Sequence, residues 1–168
     1  MMVVLKFWLS LGLFVLVLIF MLVAFLLKKR NNKKLVNCTS KTSGAVYGYE
    51  ARGNGLFYPL VEFEVDGTSY KGKLVYRGIM VKAATFYGEA EVIGDKFAPT
   101  LRVKRNPRIS FNPLEKEIPR GSVLDVYYNP ENPEENYVQR FVKSIVSQIF
   151  FYGAVYFIIM GIFLYLVL

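Results

Sequence analysis

Hydrophobic positions in this chain follow two different rules. Residues 7 to 27 and 144 to 168 are apolar runs that contain no charged residue. Each exceeds the roughly 18 residues that mark a membrane-spanning helix, about 20 being enough to cross the hydrocarbon core. Neither shows the polar face that a helix packed on a soluble core usually keeps. Between the runs the apolar positions alternate instead. In YPLVEFEVDGTSYKGK, residues 58 to 73, Val61, Phe63 and Val65 interleave with Glu62, Glu64 and Asp66, the period of a half-buried strand. Asp66-Gly67 suits the positive φ angles of a two-residue hairpin loop. That loop sets Phe63 opposite Tyr70 on one face and Glu62 opposite Lys71 on the other, with Lys73 on the diagonal.

The same rules place the other elements. Residues 43 to 50 read as a first strand, closed by the turn Gly53-Asn54-Gly55. The hairpin strands are Leu56 to Val65 and Thr68 to Tyr76, and Pro59 points to an edge position or a missing ladder bond. Ile79 to Val81 and Ala90 to Ile93 fit short strands, with a helical turn from Lys82 to Gly88. Leu101 to Lys104 and Arg108 to Phe111 form two more around Asn106-Pro107. Leu101, Val103, Ile109 and Phe111 then point inward, and Arg102, Lys104 and Arg108 outward. Gly121 to Tyr128 is the last predicted strand, ended by Asn129-Pro130-Glu131-Asn132-Pro133. Residues 134 to 141 read as a short helix.

The predicted fold class is a membrane protein with two transmembrane α-helices flanking a mainly-β soluble domain, a small antiparallel sheet of sandwich or barrel type. The expected boundaries are a first span at 1–27, a basic linker at 28–42, the β domain at 43–133, a connector at 134–143 and a second span at 144–168. A cleaved secretory signal is the alternative for residues 1 to 27. The run is long for that role, and no small-x-small site precedes the basic cluster.

Charge adds an orientation. All 13 acidic residues and all but one of the 21 basic residues lie between Lys28 and Lys143, in a chain of net charge +8. Lys28, Lys29, Arg30, Lys33, Lys34 and Lys41 follow the first span, and Arg140 and Lys143 precede the second, while only Lys6 lies on the far side. The positive-inside rule then predicts a plasma-membrane protein with a cytoplasmic domain and both chain ends outside. Lys28, Lys29, Arg30, Lys33 and Lys34 serve as a topology signal, and the same cluster suits anionic inner-leaflet headgroups, at about 1 kcal/mol per residue near such a surface. Charge concentrated beside the bilayer argues against a nucleic-acid partner. Gly153 and Gly161, eight apart, share one face of the second span, which permits close packing on another helix of this chain or of a second protein. Phe150, Phe151 and Tyr152 also suit an interfacial aromatic belt.

Candidate chemistry is sparse. The chain has no histidine and a single cysteine, Cys38. This removes the His-dependent triads and most metal sites, and one thiol closes no intrachain disulfide. Cys38 remains open to acylation or an intermolecular bridge, or is an incidental thiol, and Asn37-Cys38-Thr39 matches a glycosylation acceptor. Gly53-Asn54-Gly55 lacks the Gly-Lys-Ser/Thr continuation of a phosphate loop. Glu62 and Glu64 share a strand face on which a cation could sit, although the hairpin register offers them lysines. No cofactor, metal or catalytic residue is expected. Arg102, Lys104 and Arg108 form a basic stripe that is either a solvated face or a contact for lipid headgroups or an acidic partner protein.

Three separated motifs carry a resemblance: Gly44-x-Val46; Tyr58-Pro59-x-Val61-x-Phe63 with Asp66-Gly67 and Tyr70; and Gly121-x-Val123 leading to Tyr128-Asn129-Pro130-x-Asn132-Pro133. Together with the flanking spans they make the chain resemble the bacterial two-pass membrane family called domain of unknown function 3592. Residues 71 to 120 are longer than that pattern. The resemblance implies a membrane-anchored β-rich domain and brings no catalytic residue. The expected function is therefore non-enzymatic: a β domain mediating protein–protein interaction at the membrane, as an accessory subunit of a membrane complex or an immunity-type protein against a membrane-acting toxin. The partner is another membrane protein or a second copy. A transport or channel component built from oligomerised spans is the alternative, disfavoured because neither span carries a charge.

Overall fold

The computed structural model describes residues 2–52, 56–84, 90–106 and 112–167. It divides into two compact units, Met1–Lys33 with Ser144–Leu168, and Lys34–Lys143.

The first unit holds most of α1 (Met2–Asn37) and all of α3 (Val146–Val167). Both helices are long and apolar enough to cross a membrane, and only 6% of the most apolar stretch of each is buried, unlike a soluble core helix. The Phe20 ring lies 5.2 Å from that of Phe150 and 5.3 Å from that of Phe157. A Cβ at Gly153 would stand 2.8 Å from the Phe20 ring, and one at Gly161 would stand 3.8 Å from Leu13. The glycine face of α3 thus lies against α1 of the same chain.

The expected linker at 28–42 is largely helical. α1 continues through the basic cluster to Asn37, and the first strand starts at Ser40. Lysine and arginine are good helix formers, and this stretch holds no glycine or proline, so a helix nucleated in the apolar run simply propagates.

The second unit begins with β1 (Ser40–Ala51), β2 (Phe57–Val65) and β3 (Thr68–Lys73), and ends with β7 (Val123–Asn129) and β8 (Asn132–Val138). These five form one antiparallel sheet in the order β3-β2-β1-β7-β8. The β2–β3 register matches the alternation: Phe63 pairs with Tyr70, Glu62 with Lys71, and Asp66 and Gly67 have φ of 51° and 75°. The two rings stack at 5.9 Å. Lys73, however, pairs with Glu50 on β1, while the Ser69 hydroxyl donates to Glu62 at 2.9 Å. Pro59 is not on an edge strand: β2 lies between β1 and β3, and the Pro59 carbonyl accepts from Leu74 N–H at 3.1 Å.

Two expectations at the end of the domain fail. Asn129-Pro130-Glu131-Asn132 does not end the ladder; it is a two-residue hairpin loop, with Asn129 pairing with Asn132. Asn129 Oδ1 accepts from Glu131 N–H at 3.0 Å, and Pro130 occupies the position where its fixed φ favours the turn. Residues 134–138 of the predicted helix are instead part of β8, and 139–141 are neither helix nor strand; in β8 Asn136 and Val138 face inward and Tyr137 stacks on Tyr127 at 5.0 Å. Pro133 is tolerated because β8 is an edge strand.

The sheet nearly closes. Asn136 Nδ2 on β8 donates to the Lys71 carbonyl on β3 at 3.2 Å. A Cβ on Gly72 would lie 2.9 Å from Asn136 Oδ1 and 3.0 Å from Val138, so glycine permits the two edges to approach.

Between β3 and β7 lie β4 (Gly78–Ala83), β5 (Glu91–Val92), β6 (Thr100–Arg105) and α2 (Pro113–Glu117). The strands form a second sheet, β4-β6-β5, with β4 parallel to β6. Lys82 and Ala83 are therefore strand, not the start of a helical turn, and the rest of that predicted turn overlaps residues outside those described. The Gly53-Asn54-Gly55 turn and the strand at 108–111 also fall outside them. α2 is capped by Asn112, whose Oδ1 accepts from Leu114 N–H at 3.3 Å, with Pro113 in the first turn. Val46, Val61, Phe63, Leu124, Val126 and Val138 of the five-stranded sheet share one buried cluster with Leu101, Val103, Leu114 and Ile118.

Tyr76 joins this cluster. Its hydroxyl donates to the Lys96 carbonyl at 2.7 Å, and the Arg140 guanidinium lies 5.2 Å from its ring centre. Burial pushes the Tyr76 phenol well above its usual value, and burial also raises Tyr49, Tyr58 and Tyr137. A folded state that holds these protons more tightly keeps its full stability below the unfolded tyrosine pKa of about 10 and loses it as pH rises beyond. The melting temperature of the domain should therefore fall above about pH 10, and Tyr76→Phe should make that fall shallower. An unchanged slope would show that Tyr76 is not linked to folding.

Candidate protein-interaction surface

The three-stranded sheet carries the surface with the clearest chemistry. β6 alternates as its sequence suggests: Leu101 and Val103 are fully buried, while Arg102 and Lys104 are exposed. Its parallel register places Met80 beside Arg102 and Lys82 beside Lys104. β5 brings Glu91 opposite Lys104, and their ion pair measures 3.1 Å. The outer face thus presents Met80, Lys82, Arg102 and the Lys104–Glu91 pair. Arg108, predicted to extend this stripe, lies outside the described residues.

β4 is an edge strand of this sheet, and among the described residues no strand pairs with its outer side. Met80 on the outer face is 57% exposed, and Val81, on the face whose β6 neighbour Val103 is fully buried, is 49% exposed. Ala84 N–H donates to the Arg105 carbonyl at 3.0 Å. By alternation, Met80 and Lys82 aim their backbone groups at β6, while Ile79, Val81 and Ala83 aim theirs at the open edge. Sequence inspection singled out Arg102 and Lys104 but missed Met80, Val81 and Lys82. The short apolar run Ile79-Met80-Val81 fits a strand, but nothing in it distinguishes an edge strand from an inner one.

The other candidates are less available. Lys28, Lys29, Arg30 and Lys33 are exposed and Lys34 is half-buried, all on α1. At 100° per residue they spread around the helix rather than forming one stripe. Lys41 is paired with Asp125 at 3.0 Å. Cys38 is buried, and its thiol donates to the Glu135 carbonyl at 3.1 Å. Burial, reinforced by the Glu135 carboxylate and partly offset by Lys34, pushes the thiol above its usual range, so it is neither accessible nor activated. The Asn37 amide, the would-be glycosylation acceptor, donates to the same Glu135 carboxylate at 3.2 Å. No group of three or more His, Cys, Asp or Glu side chains suited to a metal occurs among the described residues.

Comparison with models of known families, with curated proteins and with solved structures yields no match.

Proposed function

We propose that this chain is a non-enzymatic, two-pass protein of the plasma membrane whose β domain binds another protein at the membrane, as accessory subunit of a membrane complex or as an immunity-type protein. The observation that carries this reading is the β4 edge, where Met80 and Val81 are exposed and, among the described residues, no strand pairs with the outer side and Lys82 and Arg102 have no ion-pair partner, since exposed apolar strand edges are ordinarily protected. The apolar helices α1 and α3 support the membrane anchorage. The resemblance of its motifs to the domain of unknown function 3592 family points the same way. The excess of lysine and arginine on the domain side supports a cytoplasmic domain with both ends outside, and a basic cluster that meets anionic headgroups and not nucleic acid.

Two measurements on the full chain test this. Crosslinking in intact cells followed by mild-detergent purification should bring down a second, distinct protein in defined proportion; a chain that elutes alone and monomeric would count against the reading. Because Cys38 is buried, orientation is better read from Glu131→Cys at the exposed β7–β8 loop. An impermeant thiol reagent should label that variant only after the cells are opened. Labelling of intact cells would reverse the orientation.

A further inference from the structure

The β4 edge has enough chemistry on it to say what kind of partner it takes, given that the protein-binding reading holds. We propose that β4 accepts an extended segment of another protein as an added strand, and that this segment alternates acidic with apolar side chains.

A strand laid along β4 meets three features at once. The outward-facing N–H and carbonyl groups of Ile79, Val81 and Ala83 supply a main-chain ladder, the usual source of affinity in strand addition. On the face shared with buried Val103, half-exposed Ile79 and exposed Val81 are covered by apolar side chains of the incoming strand. On the opposite face, Lys82 and Arg102 have no ion-pair partner among the described residues, whereas Lys104 is held by Glu91. Successive side chains of a strand alternate faces, so an incoming strand with apolar residues toward Val81 turns its other residues toward Lys82 and Arg102. Acidic residues satisfy that face.

Charge also decides against a second copy of this chain. Pairing two β4 strands would bring Lys82 and Arg102 of both onto one short sheet, where the carboxylates among the described strand residues are the two Glu91 side chains already engaged by Lys104. The exposed Met80 remains compatible with the acidic partner, since its flexible thioether adapts to whatever lies opposite.

The test uses a fluorescent peptide of alternating glutamate and valine, with a lysine–valine peptide of equal length as control. Each is titrated into the full-length protein in detergent micelles and followed by anisotropy. The glutamate peptide should bind saturably and the lysine peptide should not. Val81→Pro removes an edge-facing N–H without touching the β6 ladder, and should weaken binding about tenfold or more while leaving the melting temperature near that of the native chain. Lys82→Glu with Arg102→Glu should weaken the glutamate peptide and admit the lysine one, and this pair decides the matter should Val81→Pro fail to fold. Equal binding of both peptides, or undiminished binding by Val81→Pro, overturns the proposal. So does a homodimer, seen by light scattering, that Val81→Pro dissociates. Partners that still co-purify with Val81→Pro would leave the broader protein-binding reading standing while removing β4 as its site.

Discussion

Phe63→Ala should cost the β domain about 3–5 kcal/mol, the range for removing a buried aromatic ring and leaving a cavity. Phe63 is 2% exposed, and its ring is flanked by Tyr70 at 5.9 Å and Tyr128 at 6.1 Å. These partners sit on β3 and β7, on either side of the β2–β1 pair, so the ring ties together strands that are not neighbours in the sheet. Neither tyrosine can collapse into the space without leaving its own strand register. The loss is measured by thermal or urea denaturation followed through near-ultraviolet circular dichroism of the tyrosines. Glu64→Ala on the exposed face of the same strand should stay within about 0.5 kcal/mol. A Phe63→Ala cost below about 1.5 kcal/mol would mean that the inner face of the sheet is not close-packed.

Gly44→Ala should be the next most costly change, at about 2–3 kcal/mol, near the upper end for forcing one extra carbon into a filled core. The added Cβ would lie 2.6 Å from Val61 Cγ1, 2.8 Å from the Glu62 carbonyl oxygen and 3.0 Å from Phe63 Cβ. Val61 can turn its side chain. The Glu62 carbonyl is backbone in the middle of β2 and cannot move without breaking the ladder to β1 or β3. Gly48, four residues along the same strand, supplies the control: a Cβ there would meet nothing within 4 Å. Gly48→Ala should be neutral, or stabilising by up to about 1 kcal/mol through reduced freedom of the unfolded chain. If both alanines behave alike, the close approach of β1 and β2 at Gly44 is not real. The same contact gives a physical reason for glycine in the Gly44-x-Val46 motif.

Two parts of the fold were legible in the sequence because their causes are local. Residues 61 to 71 announce their own register, since alternation, a turn that accepts positive φ and two matching cross-strand pairs all agree. Leu101 and Val103 against Arg102 and Lys104 were readable on the same ground. The end of the domain was misread for an equally physical reason. Asn-Pro-x-Asn-Pro contains two prolines that both break helices and fit turns, and only the pairing of β8 with β7 decides that one of them sits inside a hairpin loop. Glu134 and Glu135 then favour a helix by propensity, which the packing of Asn136 and Val138 against the closing sheet overrides.

The candidate surface was half legible. The basic face of β6 follows from alternation alone, but its neighbour does not. Nothing local says that β4 pairs in parallel with β6 across the residues between them, or that no described strand follows on β4's other side.

By itself, the sequence determined the two apolar helices, the β character of the domain and the hairpin at Asp66-Gly67, because each depends on residues a few positions apart. Tertiary structure alone decided that β3 meets β8 through Gly72 and Asn136, that Gly153 takes Phe20, and that β4 stands at the end of its sheet among the described strands. Those outcomes depend on pairings between residues far apart in the chain, where the energy of contact, not the local pattern, selects the neighbour.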